Sequence, residues 1–147
     1  MKKAIIILSL LIGVIFIAGC INRNAPTSFS GDLSFELKIH DSLPKNLTLQ
    51  DDGTLTFTEG ENTNSVKLSP EEVDSLKQYI LDNNFFSMKE KYEGGGCCDF
   101  IAHTITVSIG DKKHSVFCYN DCPEEFNNIK EKIKSLWPDK IQYMRWA

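Results

Sequence analysis

Cys97, Cys98, Cys118 and Cys122 crowd into the stretch from Gly94 to Cys122, with Asp99 and His103 between the two pairs. Sulfur at that density can cross-link, hold a metal ion as thiolate, or attack as a nucleophile. An even count points first to cross-links, and four cysteines allow three pairings. A bond between neighbours Cys97 and Cys98 would close a ring through one peptide unit, against the usual Cα spacing of a disulfide. The expectation is therefore two disulfides drawn from Cys97, Cys98, Cys118 and Cys122. Two to four of the thiolates of Cys97, Cys98, Cys118 and Cys122, with His103 where a fourth ligand is wanted, closing a tetrahedral site are the metal-binding alternative. Cys118-x3-Cys122 has the spacing of a zinc knuckle, but the adjacent Cys97-Cys98 does not. No C-x-x-C opens a helix after a strand, which weakens a thioredoxin-like role.

The elements around the sulfurs set which of them can meet. Ile101, Ile105, Val107 and Ile109 alternate with Ala102, Thr104, Thr106 and Ser108, the period of a half-buried strand. Gly110-Asp111 supplies a turn, and Ser115 to Tyr119 returns as the second strand. A two-residue turn places Cys118 opposite His103 and brings Cys97 and Cys98 level with residues 123 and 124. Cys122 becomes the ready partner for one of that pair. Cys118 then sits about 17 Å along the ladder from Cys98, at roughly 3.3 Å per residue, unless Gly94 to Gly96 fold the loop back.

His103 with Cys98 or Cys118 and Asp99 is the one nucleophile, base and carboxylate set that can be assembled, and strand histidines are more often structural. No catalytic residue and no cofactor are expected. Gly94-Gly95-Gly96 leads into cysteines without the lysine or helix start of a phosphate loop. Asp51-Asp52-Gly53 reads as a turn, since a calcium loop needs more spaced oxygens. Asn46-Leu47-Thr48 is a glycosylation triplet.

Earlier in the chain, Leu33, Phe35, Leu37 and Ile39 alternate with polar residues and predict a first strand with one buried face. Short strands are expected at Leu47–Gln50, Thr54–Thr58 and Ser65–Leu68, with turns at Asp52-Gly53 and Glu59–Thr63. Ser69-Pro70-Glu71-Glu72 is a capping box, followed by a helical stripe of Val73, Leu76, Ile80 and Leu81. Asn83-Asn84 stops that helix, and Phe85-Phe86 returns apolar surface to the core. Cys122-Pro123-Glu124-Glu125 repeats the opening, and a helix over Pro123–Trp137 carries Phe126, Ile129, Ile133, Leu136 and Trp137. Its Glu124, Lys130, Lys132 and Lys134 face is expected to be solvated. Ile141, Tyr143, Met144 and Trp146 form an apolar tail expected to pack on the sheet. The fold class that results is α+β: an antiparallel sheet with two helices on one face, the parallel grammar of the halves suggesting two ββα repeats.

Met1-Lys2-Lys3 and the apolar run Ala4 to Gly19 have the layout of a signal peptide, too short to span roughly 30 Å of hydrocarbon, which takes about 20 residues. The run closes on Ile17-Ala18-Gly19-Cys20, and this resembles the prokaryotic lipoprotein signal. The resemblance implies cleavage after residue 19 and a diacylglyceryl group on Cys20, with residues 20–32 as a polar tether and 33–147 as one extracytoplasmic domain. Two acyl chains suffice for stable anchoring. The 147-residue chain carries 16 Lys and Arg, two of them in the leader, against 20 Asp and Glu. That balance excludes the basic surface nucleic acid requires.

From Gly53 to Trp137 the order of a turn, strand, Ser-Pro-Glu-Glu helix, Phe85-Phe86, Tyr92, Asp99, hairpin and proline-initiated helix resembles small lipoprotein or secreted domains of unknown function in bacteria and archaea. Those domains often place a cysteine pair near the first strand, where this chain has none. The resemblance implies no activity. The functional expectation is a membrane-anchored binding or interaction domain, not an enzyme, meeting an unknown protein or cell-envelope partner through Thr104, Thr106 and Ser108 on the sheet face away from the helices. A thiol-redox or metal-binding role for the cysteine cluster is the alternative.

Overall fold

The computed structural model describes residues 29–95 and 101–136. The leader, Cys20, most of the tether, the Cys97-Cys98 pair with Asp99, and the tail that includes Trp137 and Trp146 lie outside them. Seven strands form one sheet: β1 (Leu33–His40), β2 (Lys45–Leu49), β3 (Thr54–Glu59), β4 (Asn62–Lys67), β5 (Lys91–Glu93), β6 (Ala102–Ile109) and β7 (Lys112–Tyr119). Helix α1 (Pro70–Asp82) follows the β3–β4 hairpin, and α2 (Glu124–Ser135) follows β6–β7. The order across the sheet is β4-β3-β2-β1-β6-β7-β5, so the first strand of the domain is its centre. The architecture is α+β, as expected, and each helix follows a hairpin.

One face of the sheet makes the core. Leu33, Phe35, Leu37 and Ile39 of β1 are buried in strict alternation, and Leu47, Leu49, Leu55, Phe57, Ile105, Val107 and Val116 extend the layer on the neighbouring strands. The helices close it with Leu76, Ile80, Phe126, Ile129 and Ile133. Each such side chain contributes about 1.5–3 kcal/mol by leaving water. Among the described residues no helix is long and apolar enough to cross a membrane.

Helix α1 starts as its sequence requires. The Glu72 amide donates to Ser69 Oγ at 3.2 Å, and the Ser69 amide donates to Glu72 Oε2 at 2.8 Å, completing the capping box around Pro70. The second opening differs from its expected copy. Cys122 aligns with Ser69, but the cap of α2 is Pro123, with no side-chain hydrogen bond, because a cysteine offers no capping oxygen. That helix spans Glu124–Ser135, ending before Trp137.

Three strand expectations need correction. The second strand runs Lys45–Leu49 instead of Leu47–Gln50, and the fourth runs Asn62–Lys67 instead of Ser65–Leu68. The predicted turn at Glu59–Thr63 contracts to Gly60-Glu61, because Gly60 takes a left-handed φ of 58° and lets Glu59 pair with Asn62. The third correction is β5, which pairs parallel with β7, so the sheet is mostly and not wholly antiparallel. Three residues are too few to show a period.

Candidate functional site

Chemistry gathers at two places, the sulfur-bearing end of the β6–β7 hairpin and the sheet face left bare by the helices. The hairpin has the predicted register: Ile109 lies opposite Lys112, and His103 opposite Cys118. Cys118 is fully buried and is bonded to Cys122, with their Cα atoms 5.7 Å apart. This corrects the expectation that Cys122 would bond Cys97 or Cys98. Asn120 adopts a left-handed φ of 69° and the Asp121 amide donates to the Tyr119 carbonyl at 2.9 Å, a tight turn that swings Cys122 back to the strand it has just left. Gly94 allows the end of β5 to approach this turn, since a Cβ there would stand 2.6 Å from the Asp121 Cβ. Cys97 and Cys98 are outside the described residues.

Bonded sulfurs are neither nucleophiles nor thiolate ligands, so in this form Cys118 and Cys122 serve neither the nucleophilic set with His103 nor the tetrahedral one. Among the described residues no three His, Cys, Asp or Glu side chains are grouped to hold a metal ion. His103 instead faces lysines. Burial first, and then the charges of Lys130 and Lys134, push its pKa down from 6.5 to about 4. Burial likewise lowers the pKa of Lys130. The Lys130, Lys132 and Lys134 face of α2 was expected to be solvated, yet all three are half-buried. Lys130 Nζ donates to Asn127 Oδ1 at 3.1 Å, and Lys132 Nζ lies 5.9 Å from the Tyr79 ring centre. Long aliphatic stems let Lys132 lie against Tyr79 of α1 and Lys130 and Lys134 beside the His103 end of the sheet.

A pH dependence follows. The unfolded chain binds the His103 proton more tightly than the native fold, so its contribution is whole above pH 6.5 and is lost as pH falls towards 4. Screening at a half-buried ring leaves on the order of 1–2 kcal/mol. Urea titrations at pH 7 and pH 4.5 should show this loss in the parent, with the His103→Gln chain losing less.

The bare face is a lattice of short polar side chains. Thr104, Thr106 and Ser108 lie together on it in β6, all half-buried. Thr106 and Ser115 hydroxyls are 2.9 Å apart, and Thr56 and Ser65 are 3.0 Å apart. Asn46 Nδ2 donates to Glu36 Oε1 at 3.0 Å, and Glu36 pairs with Lys38 at 3.1 Å. Asn46 Oδ1 is buried with no hydrogen-bond partner. His40 Nε2 is 2.8 Å from Thr104 Oγ1, and its ring lies 6.0 Å from that of Phe117.

Two recesses escaped sequence reasoning. One of about 200 Å³ lies among Asn83, Ser87, Met88, Tyr92 and Pro123. The other, of about 430 Å³, is lined by Glu90, Lys113, His114, Ser115 and Phe117 at the β7 edge. The phase of β7 carried a signal for it: His114 occupies a core-side position with Val116 and Cys118, where a strand normally places an aliphatic residue.

Residues 45–137 match the model of a domain of unknown function, DUF6438, over well more than half of the chain. The chain belongs to the DUF6438 family. No curated protein matches it. The match agrees with the resemblance to small domains of unknown function, and it opens at β2. In this DUF6438 protein the central strand β1 therefore precedes the matched region, although the sheet is built on both of its edges.

Proposed function

We propose that this DUF6438 protein is a lipid-anchored extracytoplasmic binding domain. Cleavage after Gly19 leaves Cys20 as the acylated first residue, residues 20–32 hold the domain off the bilayer, and the bare sheet face meets a protein or cell-envelope partner. The support for the anchor is the sequence Ile17-Ala18-Gly19-Cys20 behind a short apolar leader. A disulfide between Cys118 and Cys122 suits an oxidising compartment. The observation that carries the binding role is the contrast between faces. Two helices seal one, while the other exposes the hydroxyl pairs Thr56–Ser65 and Thr106–Ser115, which a partner can hydrogen-bond.

A second reading is thiol exchange at the Cys118–Cys122 bond, favoured by its asymmetry: Cys118 is buried and Cys122 is half-exposed just before α2. Intact mass tests the anchor, and alkylation across a graded glutathione series separates the two readings, since a structural Cys118–Cys122 bond resists reduction where an exchanging one opens. Protein taken from membranes is alkylated with and without reductant. The expected result is a diacylglyceryl mass on a chain beginning at Cys20, with Cys118 and Cys122 protected until reductant is added. An unprocessed chain without acyl mass sinks the anchor. Four freely alkylated thiols or a co-purifying metal ion sinks the binding reading in favour of the cysteine cluster.

A further inference from the structure

Strand β7 is the last long strand on its side of the sheet, and β5 covers only half of it. Lys91 to Glu93 lie opposite Phe117 to Tyr119, and no described strand lies opposite Lys112 to Val116. The Phe117 amide donates to the Glu90 carbonyl at 2.8 Å, and the Tyr119 carbonyl accepts from the Gly94 amide at 3.1 Å. Odd-numbered residues of β7 thus aim their backbone groups outward. The N–H and C=O of Lys113 and Ser115 point the same way, and both residues are exposed. His114 keeps the slot clear. Its Nε2 bonds the Met88 carbonyl at 3.0 Å and its ring meets Phe85 edge-on at 5.5 Å, so the chain entering β5 is drawn to the helix side. The recess of about 430 Å³ lies alongside, with Phe117 in its lining.

We propose that the open β7 edge at Lys113 and Ser115 takes an extended acidic peptide by strand addition. The backbone of the peptide completes the four outward groups, and its carboxylates meet basic side chains at the slot. Lys89, Lys112 and Lys113 form no ion pair among the described residues, and Glu90 is the one carboxylate lining the recess. Against Glu90 and Asp111 these three lysines leave the slot end with one more cation than anion, in a chain of net charge −4. Among the described residues the edge at β4 is also open, but its Lys67 is engaged by Asp52 at 2.9 Å, and neither recess borders it. The proposal deepens the binding reading without needing the lipid, so peptide capture and the acyl mass can fail separately.

The test uses the full chain in detergent and two short fluorescent peptides, one alternating glutamate with valine and one alternating lysine with valine, read by fluorescence polarisation at low salt. The acidic peptide binds and the basic one does not. Ser115→Pro removes an outward N–H without touching the β6 ladder and weakens binding about tenfold or more. Lys113→Glu weakens the acidic peptide about threefold and improves the basic one. If the proline variant fails to fold, Lys113→Glu decides. Equal binding of both peptides, no binding, or folded variants that bind like the parent overturn the proposal. So does concentration-dependent self-association lost in Lys113→Glu, which assigns the edge to a second copy.

Discussion

A chain begun at Lys45, where the family match begins, is expected not to fold, whereas the chain that retains β1 unfolds cooperatively in urea. Strand β1 pairs with β2 from Phe35 to Ile39 and with β6 along its whole length. Both neighbours run antiparallel to it, so on its loss β2 and β6 face each other parallel and must find a new register. Its four inward residues, Leu33, Phe35, Leu37 and Ile39, are all buried. At about 1.5–3 kcal/mol each their burial supplies roughly 6–12 kcal/mol, against a net stability of about 5–15 kcal/mol for a whole domain. The removal term is as large as everything left over. Far-UV circular dichroism across a urea series reads the outcome, and a sharp transition in the 45–137 chain would refute the expectation.

The second large effect separates two adjacent identical residues. Phe85→Ala is expected to lower stability by about 3–5 kcal/mol and Phe86→Ala by about 1–2 kcal/mol. Phe85 is fully buried, edge-on to both Phe86 at 5.8 Å and His114 at 5.5 Å, and its loss leaves a cavity between α1 and β7. Phe86 is half-buried and stacks at 4.8 Å on Phe29, where solvent and side-chain movement can fill the space. Loss of Phe85 should also free the His114 ring and loosen the β7 edge, seen as faster exchange of the Phe117 amide, which donates to the Glu90 carbonyl, than in the Phe86 variant. Equal losses for the two substitutions would contradict this assignment.

Much of the scaffold was legible because its signals are local. The alternation in β1 and β6 fixed which face each buries, Ser69-Pro70-Glu71-Glu72 marked the start of α1, and Gly110-Asp111 set the register that puts His103 opposite Cys118. Thr104, Thr106 and Ser108 could be assigned to the bare face by the same period of two. Where a residue could choose between partners, locality ran out. The pairing of Cys122 turned on the left-handed Asn120, a conformation its neighbours in sequence do not announce. The lysines of α2 had the spacing of a solvated face, yet packing against α1 and the His103 end of the sheet half-buries them.

By itself, then, the amino-acid order determined the strand phases, both helices, the hairpin register and the acidic balance of the chain. Only the tertiary structure decided that β1 is central, that β5 joins β7 in parallel, that Phe85 and not Phe86 enters the core, and that no described strand covers the first half of the β7 edge. The physical reason is range. Periodicity, capping and tight turns depend on residues a few positions apart, while strand order, edge coverage and burial depend on which distant segments compete for the same surface.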